Sequence, residues 1–317
     1  MSAENFWSYL IAKSTMGRHV DILFWTLVLV TLAFSIPIVA TLIYFVFKYR
    51  RKSPDEVPPQ IHGSNLLEIT WTGIPLIMAL GFFFFSATTY LRMVVPPSNS
   101  MDVWVIGKQW MWKTQQPDGQ WEINELHVPV NTPVRLTMTS QDVIHAFYVP
   151  AFRTQWDVLP GRYSTMWFEA TQTGTYHLYC SVYCGTEHSE MVGWVTVMEP
   201  GDYAQWLAGK AAQAAASGQA VQTPAQQGEQ LFQQNGCATC HQSGGGGIGP
   251  SLNGIAGAQV QLEDGSTVTA DDTYLRESIV QPAAKIVKGY PNVMPSFQGR
   301  VTEEQIIALL AYIKSLK

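Results

Sequence analysis

At 317 residues the chain has room for two or three domains. Its formal net charge is −5 and it has no basic run suited to nucleic acid, which argues against a nucleic-acid-binding protein. Only 14% of residues are charged against 47% hydrophobic, and the apolar excess lies near the N-terminus, which points to membrane segments rather than a large soluble core.

Residues 22–47 and about 69–91 form two nearly unbroken apolar runs, each long enough to cross roughly 30 Å of hydrocarbon as a helix. Pro37 and Pro75 lie inside them, as membrane helices tolerate. The first run is too long for a signal peptide, and no Ala-x-Ala cleavage site follows it. The pair therefore reads as a transmembrane hairpin within residues 1–98. Lys48, Arg50, Arg51 and Lys52 fill the connecting loop, which the positive-inside rule places in the cytoplasm. Both termini and everything beyond the hairpin then face outward. In a bacterium, which a fused haem domain favours, that is the periplasmic or outer face of the plasma membrane. Glu68 stands at the start of the second run. A carboxylate there is either an ordinary interfacial group favoured by the helix N-terminus or the mouth of a proton route. His19 and His62 flank the runs and read as interfacial.

Residues 99–206 change to short strands. Segments 102–106, 133–139, 163–169, 175–179 and 192–198 alternate or run apolar between Pro-Gly and Thr-Gly turns, which predicts a small all-β sandwich or barrel. Between the last two strands lies Cys180-Ser-Val-Tyr-Cys184-Gly-Thr-Glu-His188-Ser-Glu-Met191. Thiolate, imidazole and thioether donors together favour copper over hard cations. A disulfide with an incidental His and Met is the plainer alternative. His145 sits near a strand end well upstream; one ligand from an early strand and the rest from a late loop resembles cupredoxin copper proteins. A blue-copper site needs one cysteine, whereas two can bridge two coppers. His127 and His177 belong to no ligand motif and read as surface or core residues.

Residues 207–226 are rich in Ala, Gln, Gly and Ser and read as a linker, helical at its start. In residues 227–317 the run Cys237-Ala-Thr-Cys240-His241 is a c-type haem attachment motif. The cysteines form thioethers to the haem and His241 ligates its iron. Beyond His241 there is no other His, and Met294 is the lone Met, which makes it the sixth ligand by elimination; Met/His ligation raises the potential. A redox Cys-x2-Cys or half of a zinc site are the competing readings. Thr302 with Gln305 caps a terminal amphipathic helix over 303–315. The domain reads as an all-α class I cytochrome c fold.

With these motifs in place, residues 1–206 resemble subunit II of haem–copper cytochrome c oxidases, and the whole chain resembles the caa3-type subunit II, which carries a fused cytochrome c domain. The resemblance implies a cupredoxin domain with the dinuclear CuA centre, two coppers, and one covalently bound haem c. Cys180 and Cys184 would bridge the coppers, His145 and His188 would bind one each, and Met191 would be a weak axial ligand. Val182 would supply its backbone carbonyl. The family usually has Glu at this position, whose carboxylate helps hold a magnesium ion against subunit I; valine offers no such group. Gln109-Trp110-Met111-Trp112 is similar to the family's aromatic patch, with Trp110 at the point where electrons enter and Met111 in place of the usual Tyr. Asp142 matches a carboxylate that docks a basic cytochrome c, and Glu68-Ile-Thr-Trp71 through Pro75 matches the helix motif whose Glu opens a proton channel.

The implied function is an electron-input subunit. Electrons come from cytochrome c or an upstream quinol-oxidising complex, and pass through haem c and CuA to haem a, haem a3 and CuB of subunit I. There oxygen is reduced to water with proton pumping. Subunits I and III and the lipid bilayer are the implied partners. The chain has no paired histidines on its membrane runs and is not expected to reduce oxygen alone. The CuA subunit of a nitric oxide reductase, a stand-alone membrane-anchored carrier and a copper-delivery protein are the alternatives.

Overall fold

The computed structural model describes residues 11–57, 60, 62–216, 222–242, 244 and 246–316. Two long helices, α1 (Thr15–Lys48) and α2 (Asn65–Val94), form the N-terminal hairpin. The expected runs 22–47 and 69–91 lie inside them. Both helices run further because polar caps, rather than apolar residues, set their starts. Ser14 Oγ accepts from Gly17 N at 3.0 Å, and Ser64 Oγ accepts from Leu67 N at 3.4 Å. At about 1.5 Å per residue, 34 residues give α1 a length of about 50 Å, more than the roughly 30 Å of hydrocarbon it would cross. Its apolar side chains point outward along most of that length, as lipid contact requires.

The strands are β1 (Met101–Lys108), β2 (Met111–Gln115), β3 (Trp121–Ile123), β4 (Glu125–Pro129), β5 (Pro133–Ser140), β6 (His145–Val149), β7 (Thr154–Val158), β8 (Ser164–Glu169), β9 (Gly174–Cys180) and β10 (Val192–Met198). They make two sheets, in the orders β3-β2-β1-β5-β8 and β4-β10-β9-β6-β7. Pairs β1–β5 and β4–β10 are parallel and the others antiparallel. Alternate side chains from both sheets meet in one core, with Trp112, Phe147, Phe152, Phe168, Leu136 and Leu178 fully buried. Each such side chain contributes about 1.5–3 kcal/mol by leaving water.

The sandwich is fastened to both membrane helices. Lys13 N donates to Ala151 O at 2.7 Å and Thr171 N donates to Lys13 O at 2.9 Å. Ser14 Oγ donates to Phe152 O at 2.8 Å, and Asp21 pairs with Arg153 at 2.7 Å. At the end of α2, Trp167 Nε1 donates to Arg92 O at 3.0 Å.

Helix α3 (Pro200–Ala216) leaves β10 and folds back on the sandwich. Tyr203 Oη donates to Gln116 Oε1 at 2.8 Å, and Trp206 stacks on His127 with ring centroids 4.2 Å apart. The helical start expected for the linker is the mostly exposed second half of this helix, whose packed half precedes residue 207. The C-terminal domain contains α4 (Pro224–Gln234), α5 (Asp272–Val280) and α6 (Glu303–Ser315), with capping boxes at Thr223 and Thr302. Helices α4 and α6 cross at Gly228, where a Cβ would lie 1.9 Å from Ala308 O, so only glycine permits the approach. A small hairpin of β11 (Gln259–Gln261) and β12 (Thr267–Thr269) joins the helices, an addition that the apolar periodicity does not signal.

Candidate metal and cofactor sites

Strand pairing assembles the first site. β6 lies beside β9, with Phe147 opposite Cys180, and this brings His145, the first residue of β6, next to the last residue of β9. His145 Nδ1 stands 3.9 Å from Cys180 Sγ. The loop leaving β9 then turns back to β10. It places Cys184 Sγ 3.7 Å from Cys180 Sγ, His188 Nδ1 3.4 Å from Cys184 Sγ, and Met191 Sδ 3.8 Å from Cys184 Sγ. The Cys180 thiol donates to the Val182 carbonyl at 3.2 Å. All six expected donors therefore converge. Both cysteines are free, with sulfurs far beyond the roughly 2.05 Å of a disulfide. His145, Cys180, Cys184 and Met191 are buried, so the donors are held in a dry, packed cage. The donor set is soft and compact, and it fits copper.

The two thiols are driven apart in acidity. Burial opposes ionisation of Cys180, but hydrogen bonds with His145, the backbone at Ala146 and Val182, and Cys184 together outweigh it and hold this thiol below the usual range. Burial and the neighbouring Cys180 push Cys184 above it. Cys180 is thus the easier thiolate to form, and the second proton leaves against a nearby negative charge that only a bound cation offsets.

Residues outside the motif position His145. Asp142 Oδ1 lies 2.8 Å from His145 Nε2, while Asp142 Oδ2 accepts from Gln109 N at 2.7 Å. Val143 N also donates to Asp142. Burial raises the Asp142 carboxyl, but these bonds, led by Gln109 N, bring it below its ordinary value. Asp142, expected at a donor-docking surface, thus turns both oxygens inward. Gly107 makes room for the imidazole: a Cβ there would sit 2.9 Å from His145 Cδ2. Motif spacing does not signal Gly107 or Gln109; the three-residue offset of Asp142 from His145 is the readable hint.

Trp110 packs against the sandwich core beside this loop, with its indole N–H buried and unpartnered among the described residues. Its neighbour Gln109 donates from Nε2 to Cys184 O at 2.8 Å. Glu68 is exposed in the first turn of α2, apart from the donor cluster. His127 pairs with Glu122, at 2.5 Å, and His177 stacks against Trp194 with centroids 4.0 Å apart. Neither joins the cluster. Glu125 lies close to the His127–Glu122 pair, but nothing there points to a ligand.

The second site is a cavity of about 440 Å³ in the C-terminal domain. Cys237, Cys240, His241 and Met294 all line it, with apolar walls from Phe232, Leu275, Ile279, Phe297, Leu309 and Ile313. His241 Nδ1 lies 2.8 Å from Pro250 O, a contact that makes Nδ1 the protonated nitrogen and leaves Nε2 unprotonated as a ligand. An apolar cavity with two thiols, one imidazole and one thioether on its wall fits a covalently attached haem.

A membrane hairpin carrying a copper-type sandwich and a c-type cytochrome domain defines a membrane-anchored electron-transfer subunit. The profile of the family described as "Cytochrome C oxidase subunit II, periplasmic domain" matches residues 120–198, and that described as "Cytochrome c" matches residues 225–317. Over 294 residues the chain is 32% identical to cytochrome c oxidase subunit 2 of Alkalihalophilus pseudofirmus, covering 89% of this chain and 83% of the relative. The corresponding subunit of Synechocystis sp. is 27% identical over 249 residues, 63% of this chain and 75% of the relative. Among solved structures, the periplasmic domain of subunit II of cytochrome oxidase of Bradyrhizobium japonicum is 34% identical. It covers 35% of this chain and 94% of its own, at a TM-score of 0.34. The chain belongs to the cytochrome c oxidase subunit 2 family, with a cytochrome c domain at its C-terminal end. It is thus a component of a haem–copper oxidoreductase whose two folded domains imply copper and haem.

Proposed function

We propose that this subunit passes electrons from cytochrome c or an upstream quinol-oxidising complex through one haem c and a two-copper CuA centre to haem a, haem a3 and CuB of subunit I, where oxygen is reduced to water with proton pumping. The observation that carries this reading is the convergence of two thiols, two imidazoles, a thioether and one backbone carbonyl on a sandwich bolted to two membrane helices. Cys180 and Cys184 would hold the copper pair together with His145, His188, Met191 and the Val182 carbonyl, and the pair would supply a one-electron relay. Packing of the loop against the buried core keeps these donors still and excludes water, which suits a site that changes charge but not shape. Cys237 and Cys240 would attach the haem covalently, and His241 and Met294 would ligate its iron.

Trp110 is the aromatic contact through which an external donor reaches the copper loop. Asp142 orients His145, and its remaining exposure lends negative charge to that surface. Glu68 takes up protons for subunit I from the loop side of the hairpin. The sandwich and the haem domain stand on the outer face of a bacterial plasma membrane, with the Lys48–Lys52 loop inside. Subunits I and III bind along the hairpin. Metal counting with optical and electron paramagnetic resonance spectra of the purified oxidase tests this reading. The expected result is two coppers in a mixed-valence signal and one haem c on this chain. A single blue-type copper, or no covalent haem, would sink it.

A further inference from the structure

The outer face of the sheet β3-β2-β1-β5-β8 carries an unusual set of residues for a solvated surface. Trp104 of β1 and Tyr163, just before β8, meet edge to face with centroids 5.1 Å apart. Both pack against the core of the C-terminal domain. Lys314 of α6 reaches over the Trp104 ring at 5.8 Å. Burial, and then Glu303, raise the Tyr163 phenol well above its usual value, and its hydroxyl has no hydrogen-bond partner among the described residues.

Around this aromatic pair runs a polar clamp. Glu304, in the first turn of α6, receives Lys113 Nζ at 2.6 Å and Gln141 Nε2 at 3.0 Å on each oxygen. Lys113 and Glu304 side chains are 22% and 25% exposed, so the pair is largely withdrawn from water. Arg276, paired with Glu303, donates from Nη1 to Gly161 O at 3.0 Å across the same boundary. The domain is held at its other end too. A Cβ on Gly119, whose φ is +97°, would fall 2.6 Å from Gln222 O and 3.1 Å from Pro224 Cδ, so the start of α4 lies directly on the β2–β3 turn. Two separate contact regions and an aromatic pair describe a seated domain rather than a free one on a string.

The seat is one residue removed from the contacts of His145. Gln141 adjoins Asp142, which bonds His145, and Lys113 adjoins Trp112, whose ring meets the His145 ring edge to face at 6.0 Å. Among the described residues, none of these cross-domain bonds, ion pairs or ring contacts reaches Trp110.

We propose that the outer face of this sheet is a fixed dock for the chain's own C-terminal domain, pinned by Glu304 on Lys113 and Gln141, and that this domain serves the copper site from there rather than at Trp110. The proposal rests on the copper and haem reading above, but the dock itself can be tested without either. Zero-length carbodiimide coupling of the purified oxidase, followed by peptide mass spectrometry, is expected to join Lys113 to Glu304. That peptide disappears in Lys113→Gln. Couplings that join α6 acids to Lys108, beside Trp110, with no 113–304 peptide, would overturn the proposal.

In the loaded oxidase the same dock is read by the rate at which photoreduced haem c passes its electron to oxidised copper. Glu304→Lys and Lys113→Glu each slow this step, on the order of tenfold, by placing like charges in a withdrawn contact. The double swap restores it, which separates lost docking from lost folding. Lys108→Gln, at the exposed end of β1 beside Trp110, leaves it unchanged; slowing by Lys108→Gln as large as that by Glu304→Lys would also overturn the proposal. If metal counting finds no copper pair, the functional reading fails while the coupling result still decides the dock.

Discussion

At the copper site the donors come from one strand end and one loop, and the walls behind them are already packed by Phe147, Leu178 and Trp112. The C-terminal cavity is the reverse case: about 440 Å³ of apolar space lies where other small domains keep side chains. One site adds a metal to a finished core, and the other keeps an apolar hollow open within its core for the cofactor. The difference shows why the metal-binding half can rely on a precise loop whereas the haem half relies on covalent attachment.

The largest effect should come from denying the second domain its cofactor. Without the haem, the apolar side chains that line this space lose their packing partner, a large loss against the small net stability of a domain. Cys237→Ala/Cys240→Ala is therefore expected to leave residues after about 224 protease-sensitive while the sandwich survives limited proteolysis. Cys180→Ser, its counterpart, should abolish copper binding yet shift the sandwich's thermal midpoint by only a few degrees. If both domains resist proteolysis equally without cofactors, the contrast fails.

Next in size is Gly228→Ala, which drives a methyl into Ala308 O and should cost about 3 kcal/mol in thermal unfolding of the haem-loaded domain. Asp142→Ala should lower copper affinity about 10- to 100-fold, by freeing the His145 ring, and leave haem content unchanged. Competition with a copper chelator measures it.

The smallest effect concerns the clasp between α3 and the sandwich. Burial raises the Glu122 carboxyl, but hydrogen bonds from His127 and Gln116 outweigh it and hold the group below its ordinary value of 4.5. A lowered value means the stabilisation is complete above pH 4.5 and fades as the pH falls through the lowered value. It should amount to about 1 kcal/mol. Midpoints measured across that acid range should drop less steeply in Glu122→Gln than in the parent.

Local chemistry was readable in the chain and distant contact was not. The Cys-x3-Cys-x3-His-x2-Met and Cys-x2-Cys-His runs carry their own geometry in their spacing, and the apolar runs declare the hairpin by length alone. Met294 could be found only because no rival followed His241. His145 needed the fold, since only the β6–β9 pairing brings it to the loop. Asp142 was legible as a carboxylate near a ligand but not as one turned inward, because its orientation depends on the Gln109 amide. Glu304 and Lys113 read as ordinary surface charges; their partnership spans 191 residues and exists only once both domains are folded. The additional turns of α1 before residue 22 follow from Ser14 and its bond to Phe152, which lies 138 residues later.

That last bond has a consequence for biosynthesis. Helix α1 is synthesised before the sandwich, yet its N-terminal end is finished by Ala151, Phe152, Arg153 and Thr171. The N-terminal end can settle only after the sandwich has been synthesised and folded on the same side of the bilayer. The start of the first helix is thus held by a protein surface made more than a hundred residues later.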